Sequence, residues 1–210
     1  MSQAMEYYFS PLACSFAGHV LIREAGLEIA MRPVSLRRKE TDDGRAFADI
    51  SAKSQVPVLK FGDGRILTEN SAVLQVLADM APERLYLPDR STPAGQSTLE
   101  WVNYVATEVH KLSLYPVFSD GVPSEVKRWA RENLEKKLAF ATARLSRSRY
   151  LAGDTFTIAD AYFGWALMLT LRAGLWKPAD GLLAYWNRLL ERPAFTGAIE
   201  VEEELFEKFA

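Results

Sequence analysis

Apolar and polar positions follow two different periods along the chain. Over residues 5–82, short apolar runs alternate with stretches whose apolar residues recur every third or fourth position. "MEYYF" (5–9) reads as a strand. "SFAGHVLIREAG" (15–26) sets Phe16, Val20, Ile22 and Arg23 at helical spacings and stops at Gly26. "EIAMRPVSL" (28–36) is a second strand, "DDGRAFADIS" (42–51) a short helix, and "VPVLKF" (56–61) a third strand. "GDG" (62–64) turns the chain into a fourth strand, "RILTE" (65–69). "SAVLQVLADMAP" (71–82) is a helix with Val73, Leu74, Leu77 and Ala78 on one face. The predicted order is βαβαββα. A helix between the first two strands makes them parallel, and the tight turn makes the last two an antiparallel hairpin.

The second half has a helical period almost throughout. The stretch 82–95 carries Pro82, Pro88 and Pro93 and marks a linker, set at 83–95. Five helices are predicted beyond it: 96–118, bending or ending near Pro116; 123–148; 157–174, apolar all round and therefore buried; 181–193; and 194–210. The expectation is an α/β plus all-α protein, with an α/β domain at 1–82 and an all-helical domain at 96–210.

Composition narrows the function classes. The chain has 210 residues, 49% of them hydrophobic and 25% charged, which is ordinary for a globular protein able to bury a core. Its 25 basic and 27 acidic residues give a net charge of −2 and no electrostatic footprint for nucleic acid. One cysteine makes no internal disulfide, as expected in a reducing compartment. The N-terminal residues do not form a secretory signal, and no apolar stretch is long enough to span a bilayer. A cytoplasmic protein without membrane or nucleic-acid partners is expected. No metal-ligand spacing occurs, and no metal is expected.

Three short stretches carry candidate chemistry, and each has a plainer reading. Cys14 is placed near the first turn of its helix, where unpaired N–H groups and the helix dipole favour a thiolate; a lone cysteine also serves as a small buried hydrophobe. In "SQVPVL" (54–59) a Val-Pro step opens a strand. A cis bond before Pro57 would free the Val56 backbone to pair with an extended peptide-like ligand, whereas an edge-strand proline needs no such bond. In "LTENSA" (67–72) a helix start can hold a carboxylate and Glu69 an ammonium, so an amino-acid zwitterion fits; Asn70 or Ser71 can equally act as simple caps.

Together these stretches resemble the glutathione S-transferase family over nearly the whole chain. The first domain looks like the family's thioredoxin-like domain and the helical half like its second domain. The likeness is greatest to the bacterial beta class, whose "PxACS" signature reads Pro11-Leu12-Ala13-Cys14-Ser15 here. "EWVNYVATEVHK" (100–111) and "FTIADAY" (156–162) resemble the same segments of that class. The resemblance implies that Cys14 lies beside the glutathione sulfur, that Val56 before Pro57 pairs with the cysteinyl backbone, and that Glu69 and Asn70 hold the γ-glutamyl end. Lys39 would meet the glycyl carboxylate; in isolation it is one charge of the solvated run "RRKETDD". His110 would lie near the thiol, with Ser15 a further catalytic candidate and Asn103 reaching toward the site. At helical spacing Asn103, Ala106 and His110 share one face. Thr157 and Asp160 have the spacing of a capping box, with Phe156 as its staple. His19 is read as structural. The sequence departs from the pattern at Leu12, where many relatives have glycine, at Asn70, where serine or glycine is usual, and at Phe9, where some have tyrosine.

The activity implied is transfer of glutathione to small hydrophobic electrophiles, with monothiol glutathione-disulfide exchange through Cys14 as a second reaction. Leu12, Leu114, Tyr115, Phe118, Tyr162 and Trp165 are candidates to line the electrophile site. A homodimer is implied as well. The alternative is a non-catalytic protein-interaction module of the same fold, which has no need of Cys14, Glu69 and a cis Pro57 together.

Overall fold

A computed structural model describes residues 4–82, 86–176 and 181–209. The first three linker residues, 83–85, lie outside the described residues. The chain divides into two compact units, residues 1–85 with 190–210, and residues 86–189.

The first unit is built on a five-stranded sheet in the order β3-β2-β1-β4-β5. The strands are β1 (Glu6–Phe9), β2 (Ala30–Ser35), β3 (Glu40–Thr41), β4 (Val58–Lys60) and β5 (Ile66–Thr68). Strands β1 and β2 are parallel, with Tyr7 opposite Met31, and β4 and β5 form the expected antiparallel hairpin, with Leu59 opposite Leu67. The helices of this unit are α1 (Phe16–Glu24), α2 (Phe47–Ile50), α3 (Asn70–Met80) and α9 (Pro193–Phe209). Alternation along β1 sends its side chains to two cores. Tyr8 packs with Val34, Phe47 and Val58. Tyr7 and Phe9 face α1, where a Cβ on Gly18 would stand 2.1 Å from the Tyr7 hydroxyl. Only glycine allows that approach. The charged end of β1 is neutralised within the sheet: Lys60 and Arg32 donate to Glu6 at 2.8 and 2.9 Å and hold its carboxyl below the usual range.

Two features of this unit differ from the sequence expectation. Strand β3 lies in the charged run "RRKETDD" and has no alternation to betray it, since of its two residues only Thr41 is buried. The short helix is confined to 47–50, because Asp43 takes the Thr41 hydroxyl at 2.6 Å and the Arg45 guanidinium at 2.9 Å and so holds 41–45 as a turn.

The second unit is helical: α4 (Pro93–Tyr104), a π-helical stretch (Val105–Leu114), α5 (Tyr115–Phe118), α6 (Ser124–Leu145), α7 (Ile158–Arg172) and most of α8 (Gly181–Leu190). Thr92 caps α4 through the Gly95 N–H, and Pro93 occupies the first turn, so this helix starts earlier than expected. The π-helical stretch ends where Pro116 removes an N–H from the ladder. Helix α7 is buried on every side, as its composition predicts.

The last helix does not belong with the helical unit. Helix α9 packs on α1 and reaches β2. Phe195 meets Phe16 edge-on at 5.2 Å, and Arg192 grips Glu24 through two hydrogen bonds of 2.6 and 2.8 Å.

Candidate functional site

The loop from β1 to α1 carries Cys14 and is fixed at both ends. Ser15 is fully buried; its hydroxyl donates to the Ser10 carbonyl at 3.3 Å and accepts the Ser10 N–H at 3.1 Å. Its proton and one lone pair are thus used inside the loop, so Ser15 holds the loop's shape. Tyr7 donates to the Ser15 carbonyl at 2.7 Å. Burial, with Cys14 and Glu202 adding negative charge nearby, pushes the Tyr7 phenol well above its ordinary value, so it remains a donor.

Cys14 is half-buried and stands two residues before the first helical residue of α1. Its Sγ lies 3.5 Å from the carbonyl oxygen of Val56. The Val56–Pro57 peptide is cis, as the sequence suggested. Val56 precedes the first ladder pair of β4, Val58 with Tyr8 on one side and with Thr68 on the other, so its backbone lies outside both ladders. Beyond it, Lys39 extends its ammonium to the Ser54 carbonyl at 3.3 Å, two residues from Val56.

On the other side of Cys14 stands the start of α3. Asn70 is buried, and its amide donates to the Cys14 carbonyl at 2.9 Å. Its Oδ1 is buried without a partner. Glu69 precedes it with φ of +71°, a left-handed value that aims the N–H groups of Asn70 and Ser71 ahead of the first intrahelical bonds, those of Ala72 and Val73 to Glu69. The Glu69 carboxylate is exposed and pairs with Lys53 at 2.5 Å. Cys14 thus contacts Val56 on one side and Asn70 on the other, with Lys39 at Ser54 and Glu69 next to Asn70 extending this line within the first unit.

A residue that sequence reasoning missed supports this line from behind. Glu202 of α9 is fully buried, accepts the Leu12 N–H at 2.7 Å and lies 2.9 Å from His19 Nδ1. Burial raises its carboxyl pKa. Leu12 takes a positive φ of 60° and is itself buried, so the position where relatives carry glycine keeps a glycine-like backbone through this bond. A sequence signal existed: Phe195, Ala198 and Glu202 follow the i, i+3, i+7 stripe of α9, and an acid on a buried stripe calls for a partner. His19 supplies it and is structural, as expected.

In the second unit, His110 lies in the π-helical stretch with its Nδ1 2.7 Å from the Tyr162 hydroxyl and its ring 4.6 Å from that of Trp165. Burial, and then the neighbouring Lys111, push the imidazole pKa down to about 3. A neutral His110 can hydrogen-bond but supplies no positive charge. The wider turns of the π-helix break the α-helical register, so Asn103 and His110 do not keep the shared face that α spacing gives them. Asn103 is exposed and donates to the Leu99 carbonyl of its own helix at 3.0 Å. Of the apolar candidates in this unit, Leu114, Tyr162 and Trp165 are buried, while Tyr115 and Phe118 are exposed. Asp160 is fully buried and accepts from the Thr157 N–H and hydroxyl, the Leu151 N–H and the Tyr185 hydroxyl, each at 2.9 Å. Phe156 packs edge-on against Tyr86 and Tyr150.

The comparisons with known proteins agree with this fold. The model of the glutathione S-transferase N-terminal domain matches residues 13–80, and that of the C-terminal domain matches residues 105–193. The chain belongs to the glutathione S-transferase family. It is 36% identical over 202 residues to glutathione S-transferase GstA of Escherichia coli, covering 94% of this chain and 98% of that one. Among solved structures it is similar to a sphingomonad glutathione S-transferase complexed with glutathione, at 29% identity, a TM-score of 0.87 and coverage of 94% and 98%. It is also similar to a beta-class enzyme of Sphingomonas chungbukensis, at 29% identity, a TM-score of 0.88 and the same coverage of 94% and 98%. The thioredoxin-like reading of the first domain and the likeness to the bacterial beta class both hold. No helix among the described residues is long and apolar enough to cross a membrane.

Proposed function

We propose that this glutathione S-transferase binds one glutathione per chain along the line from Lys39 to Glu69 and uses Cys14 in thiol chemistry on it. The observation that carries the reading is the Cys14 thiol at 3.5 Å from the carbonyl of Val56, a residue whose backbone lies outside the sheet ladders. An extended tripeptide pairing with Val56 brings its central residue, and so its sulfur, beside Cys14. The N–H groups at the start of α3 suit the γ-glutamyl carboxylate and Glu69 its ammonium, while Lys39 suits the glycyl carboxylate.

Two reactions follow from this placement. In the first, bound glutathione ionises with help from hydrogen-bond donors and its thiolate attacks a carbon of a small hydrophobic electrophile. The new C–S bond either displaces a leaving group with its electron pair or adds to an activated double bond, whose far carbon then takes up a proton. In the second, the Cys14 thiolate attacks the glutathionyl sulfur of a mixed disulfide. The substrate leaves as its thiolate and takes up a proton, and Cys14 is left disulfide-bonded to glutathione. A second glutathione thiolate then attacks that bond, releasing oxidised glutathione and restoring Cys14. With a single cysteine in the chain the cycle is monothiol. We read the active form as a cytoplasmic homodimer; light scattering on the eluting protein tests the dimer, and cell fractionation its location.

Calorimetric titration of the reduced protein with reduced glutathione tests the reading directly. Saturable binding at one per chain is expected. Absence of binding at millimolar ligand overturns it and leaves the interaction-module alternative.

A further inference from the structure

His110 is one of only two histidines in the chain, and its surroundings select one of its two neutral forms. Tyr162 and Trp165, both on α7 and both buried, pack edge-on against the imidazole at ring separations of 6.0 and 4.6 Å. The Tyr162 hydroxyl is 2.7 Å from Nδ1, a short and therefore strong hydrogen bond. Among the described residues the charge that acts on it is that of Lys111, its chain neighbour; Glu108, two residues earlier, pairs with Lys137 of α6 at 2.7 Å. A neutral imidazole has one proton, on Nδ1 or on Nε2, and the group bonded to one nitrogen decides the chemistry offered by the other.

We propose that Tyr162 is a positioning residue that fixes His110 as the Nε2–H tautomer by donating its hydroxyl to Nδ1. The direction follows from the two partners. A phenol shares its oxygen lone pair with the ring, which makes it a strong donor and a weak acceptor, whereas the unprotonated imidazole nitrogen is a strong acceptor. The consequence is a fixed N–H donor at Nε2. Such a group stabilises developing negative charge without accepting a proton, so it differs in kind from both a general base and an imidazolium. Tyr162 thereby takes a role besides lining an electrophile site: its hydroxyl bonds His110. The link to catalysis rests on the glutathione reading above; the tautomer does not.

Long-range proton–nitrogen NMR on the labelled full chain tests this without any ligand. With two histidines, His110→Gln assigns the signals. The wild-type protein is expected to show an unprotonated-type Nδ1 and a protonated-type Nε2 at residue 110, unchanged between about pH 8 and about pH 5. A protonated Nδ1 overturns the proposal, whatever the variants do. Tyr162→Phe is expected to move both nitrogens toward averaged values; an unchanged tautomer in that variant overturns the proposal too. In a conjugation assay Tyr162→Phe is expected to lower kcat about tenfold, the loss of roughly one hydrogen bond, with KM for glutathione held. Lowered kcat with an unaltered tautomer also overturns the proposal. Failure of glutathione to bind in the calorimeter, with the expected tautomer present, removes the catalytic link alone.

Discussion

At Cys14 the reactive atom and its surroundings come from different parts of the sequence. The thiol is local to the loop after β1, but the carbonyl it approaches is that of Val56 and the amide that grips its own carbonyl is that of Asn70. Cys14→Ser is expected to abolish the mixed disulfide with glutathione, seen by mass spectrometry after incubation with oxidised glutathione, while calorimetric binding persists. Loss of binding as well would mean that the serine had disturbed the loop rather than removed the nucleophile. Gly18 is a second residue where one atom decides. Its added Cβ would stand 2.1 Å from the Tyr7 hydroxyl and 2.6 Å from the ring carbon that bears it. Gly18→Ala is therefore expected to destabilise by about 1–3 kcal/mol in urea unfolding, and Tyr7→Phe to restore only part of it, since the ring carbon remains. The cis bond before Pro57 was legible because a Val-Pro step at the start of an interior strand is distinctive in sequence. The bonding of Ser15 was not legible, because a hydroxyl reads the same in sequence whether it faces outward or, as here, bonds back to Ser10.

Among the elements, those with a strong apolar period were read correctly and those held by polar contacts were not. Strands β1, β2, β4 and β5 and helices α1, α3, α6 and α7 follow from alternation or helical stripes. Strand β3 is held by backbone pairing of Val34 and Ser35 with Thr41 and Glu40, which a charged run does not advertise. The π-helical stretch escaped because an extra residue per turn leaves composition untouched; its marks are hydrogen bonds. Ser113 donates five residues back to the Glu108 carbonyl at 2.7 Å, and Asn133 of α6 donates to Ser113 at 2.9 Å. This element also sets a pH dependence. His110 titrates in the folded chain at about 3, below its ordinary 6.5, so between those values the unfolded chain binds the extra proton. Its contribution to stability is complete above about pH 6.5 and is lost as pH falls toward 3, at up to about 1.4 kcal/mol per pH unit. Urea midpoints measured from pH 7 downward are expected to fall less steeply in His110→Gln than in the wild type; equal slopes would show that His110 is not held neutral.

For the whole chain, the order of residues and the order of packing part company. Reading left to right puts 96–210 in one helical domain, yet Leu190–Ala210 belongs to the first unit. No local pattern in α9 distinguishes a helix that packs on the preceding helices from one that returns to α1, since both need only an apolar stripe. What separates them is complementarity at a distance: Phe195 against Phe16, Arg192 against Glu24, and Glu202 against His19 and the Leu12 N–H. Because Leu12 belongs to the Cys14 loop, α9 is part of the thiol's scaffold. Removing Glu202 leaves two buried donors without their acceptor, each costing about 1–3 kcal/mol. Glu202→Ala is thus expected to lower stability more than Glu202→Gln, whose amide oxygen still accepts one of them. A chain ending before Pro193 exposes Phe16, fully buried in the intact protein, and frees the Leu12 N–H. In that truncation the first unit is expected to lose cooperative unfolding and Cys14 to alkylate faster, the rate being read cleanly because no other cysteine is present. An unaltered alkylation rate would show that β1, α1 and α3 hold the loop by themselves and that α9 only covers them.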